Sequence, residues 1–247
     1  MVKYAHDTIV PFKESNLDKK QQVATMFDRI AFKYDFLNRF LSAGIDVSWR
    51  KKAINLLKES RPQNILDVAT GTADVAILCH KLLHPQKITG IDISEGMLEI
   101  GRNKIKKGGL EDCITLVKGD GETINFPDNS FDAITVAFGV RNFEHLEKGL
   151  QEMYRVLKPG GQMVVLEFSR PKNLIIKKLY NFYMDKVAPN FGNLFAKNKD
   201  AYQYLNDSAQ KFPEREQFAE ILKNTGYKNV LIKPLTLGIC CIYYVLK

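Results

Sequence analysis

The clearest chemical pattern in the 247-residue sequence is an apolar run that ends in a turn of small residues, Leu66-Asp-Val-Ala-Thr-Gly-Thr-Ala-Asp74. Asp67 lies inside this run, and Asp92 ends the next apolar run 25 residues later. A carboxylate at that interval can accept both hydroxyls of a ribose, and a glycine turn that opens a helix lets backbone N–H groups approach a ligand. We therefore predict that Asp67, Gly71 and Asp92 hold a ribose-containing ligand. The alternative is a structural turn in which the threonines cap the helix.

The glycine content of this turn narrows the choice of ligand. Turns that bind NAD or NADP use G-x-G-x-x-G because a pyrophosphate lies against their backbone. This turn has only Gly71, with Ala69 and Ala73 beside it. A sulfonium nucleoside carries no phosphate and suits such a turn better. Asp120 and Gly121 follow the third apolar run, where we expect them to meet the adenine edge of that ligand.

Apolar runs and helical patterns alternate from residue 64 onward, and they define the elements that position these residues. The runs are rich in β-branched residues and predict buried strands, while the segments 73–83, 94–107 and 145–157 predict helices. Such alternation is typical of βαβ units, so we predict an α/β fold with helices on both faces of a mostly parallel sheet. The predicted parallel strands are 64–70, 87–93, 114–120, 131–138 and 161–168.

The C-terminal part of the chain breaks this alternation. Segments 227–235 and 238–247 predict two strands without room for a crossover helix between them, and so short a connection permits only antiparallel pairing. We therefore predict a seven-stranded sheet with one antiparallel strand. The chain is interpreted as one domain, divided into an N-terminal helical lid (1–60), a cofactor-binding core (61–169), a helical insertion (170–212) and a C-terminal helix with the strand pair (213–247).

Composition excludes several classes of protein. With 45% hydrophobic and 26% charged residues, the chain is globular rather than disordered or fibrous. The four cysteines lack C-x-x-C spacing and histidine partners, so we predict no disulfide framework. His80 and His84 have helical spacing without the glutamate of H-E-x-x-H, and we predict no metal site. The sequence starts without a secretory apolar core and contains no bilayer-spanning window, so we expect a cytoplasmic protein.

The net charge of +8 is unevenly distributed along the chain. Residues 61–169 carry −3, whereas the other segments are basic, with +4 in 1–60, +5 in 170–212 and +2 in 213–247. Nucleic-acid binding is disfavoured because the basic residues alternate with acidic ones and no standard module signature occurs. An anionic membrane surface is favoured by the apolar and basic segment 173–187, although a core-packed helix with a solvated lysine face explains that segment equally well.

Further segments carry a resemblance to a known family. The Asp-x-Ala-x-Gly-Thr turn, Asp92, Asp120, the segment 155–161 and the reversed strand resemble a class I S-adenosylmethionine-dependent methyltransferase. More narrowly, the sequence from about residue 20 onward is similar to the quinone C-methyltransferases of menaquinone and ubiquinone biosynthesis. The segments that carry this similarity are 26–38, 41–45, Trp49, Phe138-Gly-Val-Arg-Asn142, Leu166-Glu-Phe-Ser-Arg-Pro171, 201–205 and 212–213.

The resemblance implies a Rossmann-like fold and S-adenosylmethionine as the cofactor. The residues that it aligns with cofactor contacts are Thr72, Asp92, Asp120 and Gly121. The chain departs from the family pattern at two positions. Ala137 replaces a serine found in some relatives, and Ala73 replaces the second glycine of a Gly-Thr-Gly-Asp turn.

The acceptor that the resemblance implies is a polyprenylated quinol, either demethylmenaquinol or a ubiquinone-pathway benzoquinol. A quinol carbon becomes nucleophilic when the adjacent hydroxyl ionises, so the chemistry needs a base or a cation near that hydroxyl. Arg141, after the fourth strand, is the first candidate as a cation that stabilises a developing phenolate, with a salt bridge as its alternative role. Asn142 and Tyr34 complete the predicted catalytic set, and lid packing is the alternative for Tyr34.

The prenyl tail of such a quinol stays in the membrane. The resemblance therefore also implies peripheral contact with a membrane surface, on the cytoplasmic face of the inner membrane. A homodimer is left open. Two other functions remain open on the sequence: a class I methyltransferase of another lipid or phenolic molecule, and a cofactor-binding module without catalysis.

Overall fold

The computed structural model describes residues 4–176, 178 and 199–247. Its central feature is a seven-stranded sheet with the strand order β3-β2-β1-β4-β5-β7-β6. β7 is antiparallel to both of its neighbours, β5 and β6, and the other pairs are parallel. The predicted sheet with one reversed strand is thus confirmed. The strands are Asn64–Val68, Lys87–Asp92, Ile114–Lys118, Phe131–Ala137, Leu157–Phe168, Lys228–Leu235 and Cys240–Leu246.

Strand β5 begins earlier than the sequence predicts. The turn Lys158-Pro-Gly-Gly161 was expected to precede the strand, but Leu157 already pairs with Phe131. The register then shifts before Ala133 pairs with Gln162. The turn is therefore a bulge inside the strand, with Gly160 at a φ of +75°.

The helices that cover the sheet lie close to their predicted positions. The three predicted helices appear as α3 (Asp74–Leu83), α4 (Glu95–Gly108) and α5 (Leu146–Val156). Ser94 caps α4 by accepting a hydrogen bond from the Met97 N–H, and Gly109 ends it in the left-handed conformation. Two further helices follow in the C-terminal part of the chain, α6 (Lys199–Lys211) and α7 (Glu216–Thr225).

The N-terminal region forms the two helices α1 (Lys19–Leu41) and α2 (Ile45–Ile54), as its composition predicts. Asp18 caps α1 through the Gln21 N–H. The apolar side chains Val23, Met26 and Ile30 of α1 pack against Met97 of α4 and Tyr204 of α6. This packing holds α1 across the carboxyl ends of the first three strands, where residues that follow a parallel strand meet a ligand.

The core lies on both faces of the sheet. Successive side chains of a strand point to opposite faces, and Cys240 and Cys241 of β7 accordingly belong to two different apolar clusters. All four cysteines are free. Of the segment 173–187, residue 177 and the part from residue 179 onward lie outside the described residues.

Among the helices that the structure describes, none combines the length and the apolar character that a bilayer crossing requires.

Candidate functional site

A cleft of about 660 Å³ opens between α1 and the carboxyl ends of the parallel strands. Its wall combines apolar side chains of α1 with glycines and carboxylates of the loops that follow the strands. Open α/β sheets bind their ligands at this edge. The lining residues are Lys20, Val23, Phe27, Tyr34, Ala69, Gly71, Asp92, Ile93, Met97, Gly119, Asp120, Gly121, Glu122, Ala137, Phe138, Gly139, Asn142 and Phe143.

Asp92 and Gly71 meet in this cleft as the sequence predicts. The Asp92 carboxylate accepts hydrogen bonds from the Gly71 N–H at 2.8 Å and from the Ser94 N–H at 2.9 Å, one on each oxygen. A carboxylate oxygen can accept two hydrogen bonds, so each retains capacity for a ligand hydroxyl. Burial raises the pKa of Asp92 to about 6, although the two backbone N–H groups oppose the shift. Gly71 has a φ of +55° and open space where a Cβ would stand.

Several residues beside the cleft adopt backbone conformations that side chains disfavour. Ala69, Ala73 and Phe138 have φ values of +53°, +66° and +59°. Such conformations cost free energy and persist where the surrounding structure holds them. At Gly139 a Cβ would lie 2.6 Å from the Ala69 Cβ, so the loops after β1 and β4 approach closely there. A side chain at position 139 would therefore push these two loops apart.

Asp120 and Gly121 line the cleft at the end of β3. Asp120 forms an ion pair with Lys20 of α1, with an N–O distance of 2.5 Å, and accepts a hydrogen bond from the Glu122 N–H at 2.9 Å. A Cβ on Gly121 would lie 2.7 Å from the Phe143 ring, so a side chain there would displace a cleft wall. Both residues line the cleft, as expected if they contact the adenine edge of a bound nucleoside.

Asp67 and Thr72 are not among the residues that line the cleft. The Asp67 carboxylate accepts hydrogen bonds from the hydroxyls of Thr70 and Thr135, both at 2.6 Å, and is 1% exposed. Burial raises its pKa to about 6. The Thr72 hydroxyl donates to Asp35 of α1 at 2.6 Å. Asp67 therefore supports the turn through Thr70 and Thr135, whereas Thr72 joins the turn to α1.

Arg141 lies directly behind the cleft wall rather than in the lining. Its Nη1 donates to Glu167 Oε1 and to the Phe138 carbonyl, both at 2.7 Å, and its guanidinium stacks over the Phe168 ring at 5.3 Å. The salt bridge considered as an alternative from the sequence is therefore present, and it is buried. Burial raises the pKa of Glu167, while Arg141 opposes the shift. Within the described residues, Arg141 Nε and Glu167 Oε2 are buried without a hydrogen-bond partner.

Asn142 and Tyr34 line the cleft. The Asn142 side chain donates to the Phe138 carbonyl at 3.3 Å, so that this strained carbonyl is held by two side-chain donors. Asn142 also accepts a hydrogen bond from the Tyr204 hydroxyl at 3.2 Å. Burial raises the pKa of Tyr34, and Arg141 lowers it by a smaller amount. Tyr34 packs edge-on against Phe27, with ring centroids 5.8 Å apart.

Sequence reasoning predicted a lid from the N-terminal helices and the residue Tyr34, but it missed Lys20 of α1 and Tyr204 of α6. Lys20 and Phe27 line the cleft, and Tyr204 orients a predicted catalytic residue. Tyr204 lies in a segment that carries the family resemblance, which is the signal that could have indicated it. Lys20 gives no local signal, because its role depends on where α1 crosses the sheet. In residues 4–176, 178 and 199–247, no group of three or more His, Cys, Asp or Glu side chains could hold a metal ion.

The arrangement fits a nucleoside without phosphates. Asp92 offers acceptors for two ribose hydroxyls, Gly71 leaves open space at the turn, and Asp120 offers an acceptor for an exocyclic amine. S-adenosylmethionine has these groups. The strand order, the reversed β7 and this site define a class I S-adenosylmethionine-dependent methyltransferase.

Comparison with known proteins agrees with this class. A solved structure with the same fold is a SAM-dependent methyltransferase from Thermotoga maritima. Its TM-score is 0.62, with 21% sequence identity, and the match covers 90% of this chain and 99% of that chain. Another is human N-acetylserotonin methyltransferase in complex with SAM, with a TM-score of 0.62 and 17% identity, and that match covers 91% of this chain and 58% of that chain. At these identities the likeness concerns the fold.

Sequence comparison gives the family. The model of the ubiE/COQ5 methyltransferase family matches residues 15–247. A demethylmenaquinone methyltransferase of Bacteroides fragilis is 49% identical over 245 residues, which cover 99% of each chain. A ubiquinone/menaquinone biosynthesis C-methyltransferase UbiE of Geotalea daltonii is 47% identical over 227 residues, or 92% of this chain and 96% of the relative. The protein belongs to the ubiE/COQ5 methyltransferase family, and the predicted family, fold, enzyme class and cofactor are confirmed.

Proposed function

We propose that this protein transfers a methyl group from S-adenosylmethionine to a ring carbon of demethylmenaquinol, which gives menaquinol. The observation that carries the proposal is the 49% identity, over nearly the whole chain, to a demethylmenaquinone methyltransferase. The cleft supports it, because polar cofactor-binding groups at the strand ends adjoin an apolar and aromatic wall supplied by α1. A flat, apolar ring that bears ionisable hydroxyls is the kind of acceptor that this wall suits.

The part of the cleft that is lined by Gly71, Asp92 and Asp120 would bind and orient the cofactor. When bound, S-adenosylmethionine supplies an electrophilic methyl group on a sulfonium. Asp92 would accept the ribose hydroxyls, Asp120 would accept from the adenine edge, and the backbone at Gly71 leaves space for the nucleoside. In-line displacement at carbon gains most from such alignment and from exclusion of water. Phe27 and Tyr34 of α1 supply an aromatic wall that would shield the bound cofactor from water.

The part of the cleft that is lined by Tyr34, Phe138 and Asn142 would hold the acceptor, and it must stabilise the ionised form of a quinol hydroxyl. Arg141 places a positive charge behind the wall formed by Phe138 and Asn142, and Glu167 compensates part of this charge. A fixed cation in a buried position stabilises a developing phenolate more strongly than a cation in water. Tyr204 and the Phe138 carbonyl hold the Asn142 side chain in the cleft wall, which supports a contact of Asn142 with the acceptor ring. We assign Arg141, Asn142 and Tyr34 to this part of the site as part of the proposal.

Incubation of the purified protein with S-adenosylmethionine and a short-chain demethylmenaquinol tests the proposal by mass spectrometry of the quinone product. We expect one added methyl group on the ring carbon. Asp92→Ala should abolish turnover, while Glu111→Gln, an exposed carboxylate at the opposite end of β3, should retain it. Absence of a methylated product from the wild-type protein would refute the proposal.

A benzoquinol of the ubiquinone pathway is the second candidate acceptor, because the relative from Geotalea daltonii carries both pathways in its name. The same assay with a short-chain benzoquinol separates the two candidates. Comparable kcat/KM values for both rings would assign both reactions to the protein. A naphthoquinol preference of about a hundredfold or more would limit it to menaquinone synthesis.

We also propose that the protein contacts an anionic membrane surface through the outer face of α1, because its substrate carries a prenyl tail. Phe32, Phe36 and Phe40 recur at every fourth residue on this face and are 91%, 59% and 47% exposed. Leu174 and Ile175 are 74% and 71% exposed within the basic segment 170–212. Amphipathic helices with aromatic and basic side chains bind membrane interfaces in this way.

A homodimer also stays a prediction. Size-exclusion chromatography with light scattering at two protein concentrations decides between a monomer of 28.2 kDa and a dimer.

A further inference from the structure

Helix α1 forms a polar contact with each of the three loops that carry cofactor residues. It contacts these loops in the order β3, β2, β1, which is the order of the strands in the sheet. The helix therefore crosses the carboxyl ends of three neighbouring strands and is attached at each one. The three contacts are Lys20 to Asp120 at 2.5 Å, Asp28 to Ser94 at 2.6 Å and Asp35 to Thr72 at 2.6 Å.

The middle contact acts closest to a cofactor residue. Asp28 Oδ1 accepts hydrogen bonds from the Ser94 hydroxyl at 2.6 Å and from the Gly96 N–H at 2.9 Å. The Ser94 N–H in turn donates to Asp92 at 2.9 Å. A Cβ on Gly96 would lie 3.3 Å from the Asp28 Cα, so the two backbones approach closely here. Asp28 thereby fixes the loop that orients the Asp92 carboxylate.

The contact at the turn after β1 is reinforced by charge. Asp35 forms a second bond with Lys104 of α4, and Lys104 also contacts Asp74, the first residue of α3. Arg39, one turn after Asp35, contacts Asp74 as well. Burial raises the pKa of Asp74, but Lys104 and the neighbouring arginines outweigh it and lower that pKa overall. The glycine turn is thus bound to α1 by residues on both sides of Ala73.

The positions of the three residues along α1 explain how one helix reaches three loops. Lys20, Asp28 and Asp35 are separated by about two turns each, and at about 100° per residue they lie within an arc of about 80° on one face. Three contacts along one line fix the rotation of the helix as well as its height above the sheet.

We infer that Lys20, Asp28 and Asp35 are positioning residues for the cofactor, and that α1 holds the three cofactor loops in their binding geometry. The inference rests on the proposed function only through the cofactor and is independent of the acceptor. Loss of one contact lets its loop relax, which weakens cofactor binding before it affects the chemical step.

Calorimetric binding of S-adenosylhomocysteine to Asp28 variants of the full chain tests this inference. Asp28→Ala removes the acceptor and should raise the Kd about fivefold, a loss expected for partly exposed hydrogen bonds to a carboxylate. Asp28→Asn keeps the Oδ1 acceptor and should restore the Kd to within about twofold. In turnover, Asp28→Ala should raise the KM for S-adenosylmethionine with little change in kcat.

Phe32→Gly is the matched control. It removes a 91% exposed side chain in the middle of the same helix, which weakens α1 because glycine disfavours a helix, and it leaves the three loop contacts in place. The Kd of this variant for S-adenosylhomocysteine should stay within about twofold of the wild-type value. An equal rise of the Kd in Phe32→Gly and Asp28→Ala would show that only helix stability matters and would overturn the inference, as would a wild-type Kd in Asp28→Ala. If the wild-type protein binds S-adenosylhomocysteine normally but does not methylate the quinol, the proposed acceptor is wrong and the inference about α1 is unaffected.

Discussion

At the residue scale, two buried aspartates have similarly raised pKa values but different hydrogen-bond partners, and we assign them different roles. Burial raises the pKa of both Asp67 and Asp92 to about 6. The partners of Asp67 are threonine hydroxyls, whereas Asp92 accepts from backbone N–H groups and lines the cleft. Asp67 therefore supports the turn, while Asp92 keeps acceptor capacity for a ligand.

The ionisation of Asp92 predicts a pH dependence of cofactor binding. Its pKa is raised in the folded protein, so the carboxylate is ionised above about pH 6 and protonated below it. Ribose hydroxyls donate to the ionised form. We therefore expect a constant affinity for S-adenosylhomocysteine above pH 6 and a fall of up to about tenfold per pH unit below it, measured by calorimetry.

Two variants serve as controls for this pH dependence. Asp92→Asn should bind weakly and without the change near pH 6, because it has no proton to lose. Asp67→Asn should keep that change, because Asp67 does not line the cleft. A wild-type pH profile in Asp92→Asn would contradict the role assigned to Asp92.

Arg141 and Glu167 form a buried ion pair in which structural and catalytic roles can be separated. Arg141→Met leaves the Glu167 carboxylate buried without its cation, and we expect a loss of about 3–5 kcal/mol in the free energy of unfolding. The double variant Arg141→Met/Glu167→Gln removes both charges and should recover most of that loss. Urea unfolding measures the stability, and quinol methylation measures kcat.

The kinetics of the double variant decide the role of Arg141. If the Arg141 cation stabilises a phenolate, kcat stays low even though stability returns. Recovery of kcat together with stability would show that neither the charge of Arg141 nor its hydrogen bond to the Phe138 carbonyl is needed for catalysis.

At the element scale, the close approach of β2 to its neighbours restricts the side chains that fit. A Cβ on Gly90 would lie 2.6 Å from Leu116 Cδ2 and 2.8 Å from the Thr70 hydroxyl. The Thr70 hydroxyl donates a hydrogen bond to Asp67, so a side chain that displaces Thr70 would also disturb the hydrogen bond that supports the turn after β1.

We expect Gly90→Ala to lower the free energy of unfolding by about 1–3 kcal/mol, because it overpacks this contact. Gly108→Ala is the matched control. That glycine ends α4 with only the Leu110 side chain near its Cβ position, and alanine favours a helix, so the change should be neutral or stabilising. Chemical denaturation compares the two, and equal stabilities would contradict the packing argument.

At the scale of the whole molecule, the charge and the exposed apolar residues occur in the same regions. The segments 1–60 and 170–212 carry +4 and +5. Among their described residues, the most exposed large apolar side chains are Phe32, Leu174 and Ile175. The core segment 61–169 carries −3. This distribution favours binding to an anionic surface on the side of α1.

Flotation with anionic liposomes tests the membrane contact. We expect binding at low salt that weakens as salt rises, since exposed charges are screened over about 8 Å at physiological ionic strength. Phe32→Ser should reduce binding, whereas Leu231→Ser, an exposed apolar residue on the opposite sheet edge, should not. Wild-type protein that stays unbound at low salt would contradict the proposal.

Much of the fold could be predicted because its signals are local. The strands and helices from residue 64 onward follow from apolar periodicity, and Ser94 and Gly109 mark the ends of α4 by their own chemistry. The bulge at Lys158-Pro-Gly-Gly161 was missed because a Pro-Gly-Gly turn within a strand has the same sequence as one before it. The contact of Tyr204 with Asn142 joins residues 62 positions apart, which no local pattern reveals.

The α/β order, the reversed strand and the meeting of Gly71 with Asp92 can be predicted from the sequence alone, because periodicity and the carboxyl ends of neighbouring parallel strands leave little freedom. In contrast, the support that Asp67 gives to the turn, the pairing of Arg141 with Glu167 and the contacts of α1 with three loops are visible only in the folded chain. These features depend on strand register and on the position of a helix packed by side chains far away in sequence, and both are set by the completed core.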